Sequence, residues 1–127
     1  MVSVLGIGDS LAMLIDGNTL VDSFPYTAAA EFERRPLLLC TAQSQNREVI
    51  AGDVRRRFSR TWALSKLEHP VILCVTDALG AWCLSAPARR LPVLLRIREQ
   101  ELFARLVTHE RAKGTMRRDD TTMVRAN

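Results

Sequence analysis

Three short segments of this chain each join an aspartate to one end of an apolar, β-prone run: Gly6–Ser10 (GIGDS), Val71–Trp82 (VILCVTDALGAW) and Arg117–Ala126 (RRDDTTMVRA). This pattern constrains the fold more than any other feature. A strand that ends at a carboxylate delivers it to the edge of a sheet, so several such strands together can aim carboxylates into a common site. Hard cations such as Mg²⁺ and Mn²⁺ take oxygen ligands, and a carboxylate cluster is what they require.

The surrounding sequence supplies the strands. Ser3–Ile7 reads as a strand. Leu11–Ile15 and Leu20–Phe24 are apolar runs on either side of Asp16-Gly17-Asn18, and an Asp-Gly turn between two such runs is a strong hairpin signal. With a turn at Gly8-Asp9-Ser10, the chain is expected to open as a β-meander. Thr27–Arg34 reads as a short helix or loop, Leu37–Thr41 as strand-like, and Gln43–Glu48 as a polar loop. Glu48–Leu67 alternates in part, with a turn at Gly52-Asp53, which favours strand over helix.

Val71–Thr76 is the clearest strand, with Pro70 at its edge position. Thr76-Asp77 marks a helix start, and Ala78–Leu84 follows as a helix that breaks at Pro87. The clearest helix is Glu99–Lys113, where Leu102, Phe103, Leu106 and Val107 share one face, Glu101 sits four residues before Arg105, and Gly114 follows as the C′ residue. Thr121–Ala126 is a last short strand. The expected class is α+β, with antiparallel sheets and flanking helices.

Composition narrows the function. At 127 residues the chain makes one domain, and 47% hydrophobic residues are enough for a core that Val, Leu, Ile and Ala must fill, since aromatic residues are only 6%. The net charge of +4 is carried almost wholly by Arg, most densely in Arg34–Arg35, Arg55–Arg57 with Arg60, Arg89–Arg90 and Arg117–Arg118. No aromatic residues are interleaved for base stacking and no nucleic-acid motif is present, so nucleic acid is not the expected partner. The guanidinium fork suits acidic or phosphorylated partners at least as well. Cys40, Cys74 and Cys83 are an odd number without a close pair, which argues against a disulfide framework or a zinc site. No signal peptide precedes the first strand and no apolar run approaches a membrane span, so a cytoplasmic setting is expected.

Read in order, the three segments resemble the C-terminal half of the protein phosphatase 2C (PPM-type) family of metal-dependent serine/threonine phosphatases. Gly8-Asp9-Ser10 is similar to its glycine-aspartate-serine motif. Val71–Asp77 followed by Ala78-Leu79 resembles the bacterial form of its strand ending in Ser/Thr-Asp-Gly. Asp119-Asp120-Thr121-Thr122 looks like its last motif, with the Glu99–Lys113 helix before it where the family has one. Leu11 stands where the family often has arginine, and Ala78 where it has glycine.

The resemblance implies half of a PPM-type β-sandwich with helical layers, covering residues 1–127. It implies Asp77 and Asp119 as ligands of Mg²⁺ or Mn²⁺, and Asp9 as an aspartate of an additional, weaker metal position. It also implies a phosphoserine or phosphothreonine protein as substrate, attacked by a metal-activated water. The family's first half, with its bridging aspartate and phosphate-gripping arginine, has no counterpart here. The lone chain is therefore expected to be weakly active or inactive, and to leave a sheet face that a partner chain or a dimer would cover. Plainer roles remain open: Asp77 as a helix cap, Asp9 as a turn residue, and Asp119 and Asp120 as a polar turn neutralised by Arg117 and Arg118. His69 and His109 are assigned to solvent or helix packing, and Trp62 and Trp82 to the core.

Overall fold

The computed structural model describes residues 1–34, 36, 41–47 and 56–127. Its strands are β1 (Val2–Leu5), β2 (Leu11–Asp16), β3 (Thr19–Phe24), β4 (Ser59–Trp62), β5 (Pro70–Val75) and β6 (Met123–Ala126). Its α-helices are α1 (Asp77–Leu84), α2 (Pro87–Arg96) and α3 (Gln100–Ala112). The α+β class with antiparallel sheets and flanking helices is what these residues form.

Four strands make the central sheet in the order β3-β2-β5-β6, and β1 pairs with β4 in a separate ribbon. The hairpin β2–β3 turns at Gly17, whose φ of 61° suits glycine. The opening is not a meander, because β1 leaves the hairpin and pairs antiparallel with β4, Val2 opposite Trp62. Residues 37–40 and the Gly52-Asp53 turn lie outside the described residues, as does Cys40. Of the 48–67 segment, the part described contains β4 and a 3₁₀ turn at Leu64–Lys66.

Period-two alternation sorts the central strands between two layers. Leu11, Met13 and Ile15 of β2, with Val71, Leu73 and Val75 of β5, face the helices and join Leu79, Trp82, Leu91, Leu94 and Val107 in the main core. Ala12 and Leu14 face the other way and meet Phe24, Trp62 and Val4 under the β1–β4 ribbon. Because both faces of β2 are covered, Leu11 through Ile15 are all buried. Among the described residues the covering of the second face stops short of β6. Paired Cys74 and Val124 share that face, and both are exposed.

The helices follow their caps. Thr76 is the N-cap of α1 and Asp77 its first residue. Gly80 lets α1 approach the 3₁₀ turn Ala29–Glu33, for a Cβ there would lie 2.8 Å from Phe32 Cζ. Pro87 does end the first helix, but it also opens α2 as an early-turn proline. A second proline, Pro92, lies inside α2, which hides this helix from a sequence reading. In α3, Val107 is buried and Phe103 and Leu106 pack on the core, whereas Leu102 is exposed. Gly114 ends the helix with a φ of 73°.

Candidate functional site

Register decides where the three aspartate segments meet. Leu11 of β2 pairs with Val75 of β5, and Val75 pairs with Met123 of β6. The start of β2, the end of β5 and the start of β6 therefore lie at one end of three adjacent strands. Asp9 precedes that row, Asp77 follows it and Asp119 leads into it.

Asp77 and Asp119 are brought together. Nη2 of Arg117 contacts Asp77 Oδ2 and lies 3.4 Å from Asp119 Oδ2, so one guanidinium nitrogen serves both carboxylates. The remaining oxygens bond to backbone: Asp77 Oδ1 accepts from Ala78 N–H (2.7 Å) and Asp119 Oδ1 from Asp120 N–H (2.8 Å). Asp77 is thus one residue inside the helix rather than its N-cap. The Asp77 side chain is 16% exposed, against 52% for Asp119 and 54% for Arg117. Of the two neighbouring arginines, it is Arg117 that neutralises the pair.

Asp9 is not part of this pair. It lies in an exposed bend, on the Tyr26 side of the sheet end. Tyr26 donates its hydroxyl to Gly8 O (3.1 Å), and its pKa is raised, first by burial and then by the charges of Asp9 and Glu31. Among the described residues, no three His, Cys, Asp or Glu side chains come together as a metal-binding group. Asp120 is exposed, and it is its backbone carbonyl that is engaged, accepting from Thr76 Oγ1 (3.1 Å).

Residues outside the motifs hold this end in shape. Thr76 Oγ1 also accepts from Thr122 N–H (3.0 Å), and Thr76 N–H donates to Thr122 O (3.2 Å). Arg111 reaches from α3 with Nη2 to the Asp119 carbonyl and to Thr121 Oγ1 (2.9 Å). Sequence reasoning missed Arg111, because a contact across the turn after α3 has no local periodicity to announce it. Two clefts flank the pair. One of about 520 Å³ is lined by Arg111, Asp119, Asp120 and Thr121 beside α3. The other, about 430 Å³, is lined by Arg117 together with Glu33, Trp82 and Ser85.

No protein-family model, curated protein or solved structure matches this chain.

Asp77 Oδ2 and Asp119 Oδ2 both face one Arg117 nitrogen, so the two carboxylates surround their own counter-charge. A two-ion cage needs more ligands than these residues supply, and a single Mg²⁺ held by two carboxylates would need water or phosphate oxygens to complete its shell. The other sequence-noted groups have structural or solvent roles. His69 and His109 are exposed and Trp62 and Trp82 buried, while Arg90 donates to Trp82 O (2.6 Å) with its guanidinium 4.9 Å from the indole ring centroid.

Proposed function

We propose that this chain is the C-terminal part of a protein phosphatase 2C-like domain, a metal-dependent hydrolase of phosphoserine and phosphothreonine proteins in a cytoplasmic setting. The observation that carries the reading is the convergence of Asp77 and Asp119 on one cation at the sheet end, where the three resembling motifs also meet. Asp77 and Asp119 would hold Mg²⁺ or Mn²⁺, with Asp9 at the margin. A divalent ion there supplies a water of lowered pKa and positive charge for a phosphoryl group. The chain's own residues fix the ligands: Thr76 and Arg111 lock the 119–122 turn, and helix α1 holds Asp77. Further ligands and the phosphate-gripping arginine would come from outside this chain, so the lone chain is expected to hydrolyse phosphomonoesters weakly or not at all.

Titration calorimetry with Mn²⁺ tests this. Binding to the wild-type chain that is lost in the Asp77→Ala/Asp119→Ala double variant supports the reading. Absent binding, or binding unaffected by the double variant, rejects it.

A second reading keeps half of the phosphatase fold as a non-catalytic interaction module. It is favoured by Cys74 and Val124, exposed on the face of β5 and β6 that the described β1–β4 ribbon does not reach. A soluble dimer that Val124→Asp dissociates, measured by sedimentation equilibrium, would favour the module; a monomer in both forms would count against it. Among the described residues no helix is long and apolar enough to cross a membrane.

A further inference from the structure

β6 closes the strand order β3-β2-β5-β6 and, among the described residues, is paired on one side only. The register fixes which of its backbone groups face outward. Thr76 N–H donates to Thr122 O (3.2 Å), so these two residues form a hydrogen-bonded pair. The alternation of an antiparallel ladder then makes Cys74 with Val124, and Ile72 with Ala126, hydrogen-bonded pairs as well. The N–H and C=O groups of Met123 and Arg125 therefore point away from β5, as donors and acceptors for an added strand.

The side chains of the same two residues lie on the helix face of the sheet. Met123 packs against the main core and lines a cleft of about 220 Å³ with Ile97, Phe103, Arg98, Glu99 and Gln100. The cleft has room for one aliphatic side chain. Arg125 reaches the end of α2, where Nη1 donates to Leu95 O (3.1 Å). Burial first, and then the charge of Arg98, lower the Arg125 pKa, so the two guanidinium groups feel each other. Neither has an ion pair with an acid among the described residues. The edge thus sets two positive charges beside an apolar cleft, against the single acid of that cleft, Glu99.

We propose that β6 is a docking edge for an extended, acidic segment of a partner protein, which adds a strand to the sheet and seats an apolar side chain in the cleft beside Met123. A residue opposite Met123 projects to the helix face, and the residue two positions along projects toward Arg125 and Arg98. A carboxylate at that second position meets the guanidinium groups. Charge decides against a second copy as the occupant. Antiparallel pairing of β6 with itself about Val124 sets each Arg125 opposite the other copy's Met123, which crowds the arginines of both copies along one edge. This inference does not depend on whether Asp77 and Asp119 hold a metal.

The test is fluorescence anisotropy with a labelled, end-blocked peptide Thr-Glu-Thr-Leu-Thr-Glu-Thr, which offers the apolar and acidic positions in either strand direction. Amide hydrogen exchange of the protein, followed by NMR, locates the peptide. Binding in the micromolar to sub-millimolar range is expected, with the Met123 and Arg125 amides slowed in exchange. Replacing the peptide's leucine by serine should weaken binding at least about ten-fold. Arg98→Ala in the protein should weaken it about two- to five-fold. Arg98 is exposed; thermal melts check folding, and Arg98→Gln serves if the alanine variant does not fold. No binding below about 1 mM overturns the proposal. Binding that ignores the leucine and follows salt alone also overturns it, as general attraction to arginine. So does binding that leaves the Met123 and Arg125 amides unprotected. A dimer of the free chain that the peptide dissociates would give the edge to a second copy instead, and displacement of the peptide by an oligothymidylate would give it to nucleic acid.

Discussion

The two ends of the central sheet use aspartate in different ways. At the hairpin end, Asp16 spends both oxygens on backbone, accepting from Glu68 N–H (3.3 Å) and His69 N–H (2.6 Å), and so staples the loop before β5 to the end of β2. At the opposite end, Asp77 and Asp119 each give one oxygen to a neighbouring N–H and leave the other on an exposed guanidinium. A carboxylate bonded through both oxygens to backbone is part of the frame. One that keeps an oxygen on a solvent-facing guanidinium is held by an ion pair that salt can screen. This difference, rather than the number of acids, separates a structural aspartate from a candidate ligand.

The frame has one still deeper carboxylate, and the largest effect is expected there. Glu110 is 8% exposed and accepts from Trp82 Nε1 (3.0 Å) and from the Thr115 hydroxyl, with Lys113 Nζ 3.5 Å away. Glu110→Ala leaves the Trp82 N–H without its acceptor in the core and is expected to cost about 1–3 kcal/mol in chemical denaturation. The Thr115 hydrogen bond, ahead of the Trp82 bond and the Lys113 charge and against desolvation, holds the Glu110 pKa below its ordinary 4.5. A depressed folded pKa means that this stabilisation is complete above the unfolded value and disappears as pH falls through the folded one. Stability of the wild type should therefore decline more steeply below about pH 4.5 than that of Glu110→Gln. Parallel acid profiles for the two would remove Glu110 from the frame.

Next comes the comparison itself. Asp16→Ala removes the acceptor of two backbone N–H groups and is expected to destabilise by about 1–2 kcal/mol. Asp77→Ala gives up one local N–H bond and an exposed ion pair, and should cost less than about 1 kcal/mol. Melting curves of the two variants, measured side by side, check this order. Equal losses would mean that the acidic end is as much a structural clasp as the hairpin end.

The same contrast explains what was legible in the sequence. The hairpin, β5 and α3 announce themselves through local chemistry: an Asp-Gly turn, a β-branched run after Pro70, and a 3.6-residue apolar stripe ended by Gly114. That the ends of the three segments lie at one end of adjacent strands follows from the register, but only Asp77 and Asp119 share a cation there, and Asp9 does not join them. What was not legible is set by long-range choices. The pairing of β1 with β4 spans nearly sixty positions, and nothing near Val2–Leu5 distinguishes it from a meander. Helix α2 was hidden because Pro87 read as a breaker, although it sits where its missing N–H costs nothing, and Pro92 lies inside the helix. Arg111 reaches the Asp119 turn only once α3 has packed. The sharing of Arg117 by both aspartates depends on β5 and β6 being neighbours.

The smallest effect discriminates most finely between a clasp and a screened ion pair. In a double-mutant cycle of Arg117→Ala with Asp77→Asn, the coupling energy is expected to fall between about 0.2 and 1 kcal/mol at low salt. It should shrink as ionic strength rises, since the guanidinium and Asp119 both face solvent and are screened. The single Arg117→Ala variant has a further signature. It leaves two carboxylates facing each other, so its stability should recover partly when Asp77 is neutralised to Asn, or when Mn²⁺ is added to the unneutralised form. Recovery by both routes marks a site whose charge can be balanced by either an arginine or a metal ion. Recovery by the asparagine alone would confine the site to a salt bridge, and the hairpin end and the acidic end would then differ only in how deeply their carboxylates are tied.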